Sequence, residues 1–190
     1  LADQANLQPA SHWPLDDMRG ADFVQAAGPA MARAVSPAGS LHVGEQEVDA
    51  SLWLQLDSFA LLQALCGLAQ RLHAERDIHT LHLRLQGAAG GRAHLDLVWT
   101  GQAMSTETVM GWELDPLPAE PGSAGPALSV RDVVQRHGGE FWFERDRVRH
   151  QAFFRFLLPQ AQQPAALTPS DSRPEVVDFD LFAQFDNGHA

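Results

Sequence analysis

The sequence predicts an α/β (α+β) fold: a two-layer sandwich in which a mixed, mostly antiparallel sheet carries its helices on one face. Three observations predict it. Residues 80–86 and 93–100 read as strands flanking the glycine-rich turn 87–91, and residues 140–144 and 152–158 read as a second such pair around a charged turn. Residues 58–74 and the stretch from Leu128 to Val134 repeat their apolar side chains at helical spacing. Strand and helix patterns are interleaved without internal repeats, so the helices have a sheet face to cover.

Taken in order, residues 1–14 are polar, contain Pro9 and Pro14, and are expected to form a disordered lead-in. Residues 15–35 suit a helix, interrupted at Gly28-Pro29 because proline lacks the N–H and clashes with the preceding turn. Residues 41–43 and 52–56 read as strands. Asp57-Ser58 supplies an N-cap for the next helix. Its Leu61, Leu62, Leu65, Leu68, Ala69 and Leu72 form one broad apolar stripe. In the following strand Leu81, Leu83 and Leu85 alternate with His82 and Arg84. Residues 104–127 are rich in Pro and Gly, with a short helix near 105–112. Leu128, Val130, Val133 and Val134 share a helical face that stops at Gly138-Gly139, where glycine takes positive φ without a Cβ penalty. Phe154, Phe156 and Leu158 share one face of the last strand. The expected plan is a lead-in over 1–14, one domain over 15–159, and a linker and acidic, apolar tail over 160–190.

Composition narrows the function. Hydrophobic residues make up 45% of the chain, enough for a real core, yet no apolar run is long enough to span a membrane. The single cysteine, Cys66, excludes an internal disulfide and a Cys-based zinc site, and its apolar helical setting points to packing. A reducing, cytoplasmic compartment fits. The formal charge of −11, with no lysine, argues against a general nucleic-acid binder, which needs a basic face. The leading Leu1 is expected of a piece cut from a longer protein. His79, His82 and His94 have no recognised metal-ligand spacing and are expected on solvent-facing strand positions. Arg145, Arg147 and Arg149 lie on the last turn, with Glu144 and Asp146 as local partners. Trp112 and Trp142 are read as covering part of the core. No G-x-S-x-G nucleophile motif is present.

RDVVQRHGGEFWFE (131–144) followed by FFRFLLP (153–159) resembles the C-terminal end of the ATP-binding domain of bacterial sensor histidine kinases, a family grouped with gyrase B, Hsp90 and MutL. The resemblance covers about residues 11–159. It implies that residues 104–127 are the lid over the nucleotide. A phospho-accepting histidine on a preceding helix is also implied. His12, in SHWPLDD, does not match that pattern and is read as a loop residue.

The family's active site needs three motifs, and each departs here. Its Mg²⁺-ligating Asn falls at Arg71, a permanent cation that cannot donate an oxygen to a hard ion. Arg71 retains the capacity to touch an anion without metal. In the Asp-x-Gly-x-Gly loop Trp99 stands for the adenine-binding Asp, Gly101 is retained and Ala103 replaces the second Gly. Indole donates one hydrogen bond and accepts none. Asp96 substitutes only through a shifted register. The phosphate-binding Gly-x-Gly is reduced to Gly122 and Gly125, followed by Pro126, which has no N–H.

The expectation is therefore a degenerate histidine-kinase-type ATP-binding domain, a non-catalytic regulatory or interaction module of a larger bacterial signalling or exonuclease-linked protein. Arg71, Trp99, Gly101 and Gly125 mark its vestigial pocket. No cofactor or metal is expected; ATP and Mg²⁺ belong to the alternative, a divergent but active sensor histidine kinase domain. Expected partners are other domains of the parent chain, a protein, or a second copy, with no nucleic acid and no membrane contact by this domain, whether or not the parent is membrane-attached. The tail SRPEVVDFDLF resembles the linker before a DNA polymerase III epsilon-like 3'–5' exonuclease domain; Asp178-Phe179-Asp180 is not that enzyme's Asp-x-Glu metal motif.

Overall fold

The computed structural model describes residues 14–35, 41–118 and 126–164. The expectations for the lead-in up to residue 13, for His12, Gly122 and Gly125, and for the tail from 165 lie outside these residues. The chain runs β1(Asp16–Arg19), α1(Gly20–Val35), β2(His42–Val48), β3(Trp53–Leu56), α2(Ser58–Arg76), β4(Thr80–Ala88), β5(Arg92–Thr100), α3(Thr106–Leu114), α4(Val130–Arg136), β6(Glu140–Asp146) and β7(Gln151–Pro159). Among these, no helix is long and apolar enough to cross a membrane.

The main sheet has five strands in the order β2-β4-β5-β7-β6. Only β2–β4 is parallel; the other pairs are antiparallel. Register brings Leu83 opposite Leu97, and Leu97 opposite Phe154. These side chains point the same way, and α1, α2 and α4 cover them with Met31, Leu61, Leu65, Leu68 and Val133 in one core. The α/β two-layer sandwich, with helices on one face of a mixed and mostly antiparallel sheet, is the architecture observed.

Two local expectations fail. Residues 16–19 form β1, paired antiparallel with β3 in a separate two-stranded sheet, instead of the first turn of a helix. The helix α1 then runs unbroken through Pro29. The carbonyl that Pro29 leaves without a donor belongs to Gln25, which is exposed, so water can satisfy it.

One corner ties the helices together. The Asp57 carboxylate caps α2 by accepting from the Ala60 N–H at 3.0 Å, and pairs with Arg136 at 2.8 Å. The Asp57 N–H donates to His137 Nε2 at 3.0 Å, and His137 Nδ1 donates to the Val133 carbonyl at 2.7 Å. His137 is only 3% exposed. It is therefore held neutral, and burial pushes its pKa below the ordinary 6.5. The unfolded chain takes up the proton first as the pH drops. The contribution of His137 is full above about pH 6.5, falls below it, and levels off under the folded-state pKa. His94, also lowered by burial, acts in the same direction. Melting curves from pH 8 to 5 are expected to show this decline, with a shallower slope in His137→Asn. Asp57→Ala should cost about 1–2 kcal/mol in urea unfolding through the lost cap.

Candidate functional site

The expected pocket lies where α2 meets α3 and the residues that follow it, Asp115 to Leu117. Arg71 projects from α2 toward α3, and its Nη1 donates to Asp115 Oδ2 at 2.8 Å. Its guanidinium lies 5.8 Å from the ring centre of Trp112. Trp112 is 5% exposed and packs against Phe154. On the other flank, Arg131 of α4 holds Glu113 at 3.2 Å. Two ion pairs on either side of a buried tryptophan thus fasten α3 to α2 and α4.

The chain after α3 closes the space further. Leu117 is 8% exposed and sits on Gly67 of α2, where a Cβ would come within 2.6 Å of its Cδ2. The Leu117 N–H donates to the Leu128 carbonyl at 2.7 Å, and Pro116 bridges Ser129. At the start of α4, Ser129 Oγ accepts from the Asp132 N–H at 3.1 Å, while Asp132 Oδ2 accepts from the Ser129 N–H at 2.8 Å. This capping box satisfies N–H groups that an anion would otherwise use, and places a carboxylate beside them. The remaining cleft, lined by Gly67, Arg71, Trp112, Asp115 and Leu117, holds about 210 Å³. Ligand pockets commonly span roughly 300–1,000 Å³.

Trp99, at the end of β5, is 3% exposed, with ring centres 5.1 Å from Phe154 and 6.0 Å from Phe143. It is a core residue and fills the end of the sheet. Gly101 follows with its Cα beside that indole: a Cβ there would lie 3.0 Å from Trp99 Cδ1. Of the four expected pocket residues, Arg71 lines the cleft, Trp99 and Gly101 lie against one another at the end of β5, and Gly125 is outside the described residues.

No family model matches the chain. No curated protein matches it either. Solved structures do. The ATP-binding domain of PrrB from Mycobacterium tuberculosis superposes with a TM-score of 0.57 at 14% identity, over 78% of this chain and 98% of that one. The chain has the fold of a histidine-kinase ATP-binding domain. Full-length ShkA in complex with AMPPNP gives a TM-score of 0.56 at 16% identity, over 80% of this chain and 32% of that one. The histidine kinase ThkA in complex with the response regulator protein TrrA gives 0.55 at 12%, over 77% and 42%.

Within this histidine-kinase fold, the shifted register that would let Asp96 serve as an adenine acceptor fails geometrically. Asp96 is fully buried on the opposite face of the sheet from Trp99. Its Oδ2 accepts from Arg84 Nε at 2.8 Å, and Arg155 donates to Oδ1 and Oδ2 at 2.7 and 2.8 Å. The three residues lie directly across from one another on β4, β5 and β7. Both guanidinium groups also stack on Phe153, at 4.7 and 4.8 Å. Sequence reasoning missed this triad. Its only signal is a charged residue in the middle of each of three apolar strands, which reads equally well as solvent-facing alternation.

The remaining candidates resolve simply. Among the described residues, no group of three or more His, Cys, Asp or Glu could hold a metal ion. His79 contacts Asp77 at 3.0 Å, and His94 is half-buried, edge-on to Trp142. Arg149 pairs with Glu47 at 2.8 Å and lies 3.8 Å from Asp146. Burial pushes the Cys66 thiol up to about 11, which makes it a poor nucleophile near neutral pH.

Proposed function

We propose that this domain is a degenerate histidine-kinase-type ATP-binding domain, working as a non-catalytic regulatory or interaction module of a larger bacterial signalling or exonuclease-linked protein. One observation carries the reading: the Arg71 guanidinium, in the register of the Mg²⁺-ligating Asn, is engaged by Asp115 and Trp112 at the wall of a cleft of about 210 Å³. Arginine supplies no oxygen ligand for Mg²⁺, and Asp115 already neutralises the cation that would otherwise meet a phosphate. Trp99 supplies no acceptor for adenine. The capping box of α4 and the seating of Leu117 on Gly67 act in the same sense, because each fills space or satisfies donors that a nucleotide would need.

A domain without nucleotide chemistry contributes through contacts. ThkA has been seen bound to a response regulator, which supports a protein or another domain of the same chain as the partner class. Such a domain, in a bacterial cytoplasmic parent, serves as a scaffold.

Melting with ATP or ADP, with and without Mg²⁺, tests this reading. A ligand binding only the folded state adds about 2.7 kcal/mol at 100 times its Kd, which raises Tm by several degrees in a domain of this size. The expected shift is none in all four conditions. A Mg²⁺-dependent rise would favour an active site and overturn the proposal.

A further inference from the structure

A second surface carries its own inference, independent of nucleotide, because neither Arg71 nor Trp99 lines it. Phe59, in the first turn of α2, is 59% exposed. It stands between two apolar depressions of about 430 and 330 Å³, formed where α2 packs on α1. Leu62 lines both; Ala30, Ala34 and Cys66 extend the first, and Met18 and Ala26 the second. The charged groups in this groove are Arg33 at one end and Asp22 at the other. An exposed aromatic flanked by two apolar hollows is a surface shaped to receive apolar side chains.

We propose that the chain's own segment 176–185, VVDFDLFAQF, docks in this groove. Its tether starts beside it. After β7 the Ala161 N–H donates to the Trp53 carbonyl at 2.8 Å, and Gln160 bridges Leu54. Trp53 pairs with Arg19 of β1, and the next residue of β1, Met18, lines the groove. The anchor is thus two strand spacings, roughly 10 Å, from the groove's edge. The chain between Ala161 and Val176 can span up to roughly 50 Å when extended, so it reaches the whole groove.

Chemistry agrees with reach. The segment offers Val177, Leu181, Phe182 and Phe185 at helical spacing, enough to engage both hollows around Phe59. Glu175, Asp178 and Asp180 surround these residues, with no Lys or Arg from 174 to 190. Arg33, whose charge is felt at Cys66, and Arg19, stacked on Trp53 along the route, are the matching cations. Tethering makes docking intramolecular, so modest contact energy suffices. The consequence is a domain that covers its own apolar face, and that a competing partner would uncover by displacing the tail.

Hydrogen exchange on the full chain tests this. Amides of 176–185 should exchange at least about tenfold more slowly than in Phe59→Asp, which converts the exposed anchor to a charge, while β4 and β5 amides stay unchanged in both. A Phe182→Ser/Phe185→Ser chain, altered only in the tail, should lose the same protection. Equal exchange in wild type and Phe59→Asp overturns the proposal. So does protection that grows with protein concentration alongside a dimer in sedimentation, which would assign the groove to a second copy.

Discussion

Trp99→Asp, which places a carboxylate where the motif of the resembled family is expected to carry one, should destabilise the domain by about 4 kcal/mol or more, without creating a nucleotide site. Trp99 is 3% exposed and packs on Phe143 and Phe154. Truncating a buried aromatic costs about 3–5 kcal/mol through lost transfer energy and the cavity left behind. The new carboxylate would face that cavity beside the rings of Phe143 and Phe154, adding a desolvation penalty. Urea unfolding followed by tryptophan fluorescence reads the loss. Trp99→Phe, which keeps an aromatic in place, should lose distinctly less. Near-native stability in Trp99→Asp would show that the end of β5 tolerates a polar pocket.

Asp96→Ala should cost about 3–5 kcal/mol, although the residue lies on the opposite face of β5 from Trp99. Asp96 is the shared anion of Arg84 and Arg155, whose side chains are 6% and 16% exposed. Removing it leaves two cations close together over Phe153, with only the half-exposed Glu144, 3.6 Å from Arg155, as counter-charge, and the cost of an under-compensated buried charge far exceeds that of a lost surface pair. Asp96→Asn should fall nearly as far, because an amide removes the negative charge that both guanidinium groups share. Replacing all three with Met, Leu and Met should recover much of the stability, since an apolar set of similar volume removes the charges together. A single-mutant loss under 1 kcal/mol would mean that water reaches the triad.

Much of the fold was legible because its signals are local. Leu81, Leu83 and Leu85 alternate strictly, and the α2 stripe repeats at helical spacing, so strand and helix announce themselves over a few residues. Asp16–Arg19 was missed because a four-residue polar strand has no periodicity of its own; pairing with β3 creates it. Pro29 misled because a proline's cost depends on whether the orphaned carbonyl meets water, which only tertiary position decides. The Arg84–Asp96–Arg155 row required the register of three strands, and no single strand encodes it. Arg71 and Trp99 stood out through family resemblance, yet their engagement by Asp115, Trp112 and Phe154 is a matter of packing. The seating of Leu117 on Gly67 joins residues fifty apart in sequence, well beyond the roughly 11–18-residue window in which periodicity is read.

On the proposed reading, this histidine-kinase fold has no working nucleotide site. Isothermal titration of the domain with ATP and ADP, with and without Mg²⁺, tests it most directly. No saturable heat is expected in any combination, because Arg71 is engaged by Asp115 and the buried Trp99 offers no acceptor. Saturable, Mg²⁺-dependent binding would contradict this, and would mean that the metal finds oxygen ligands other than the residue at position 71.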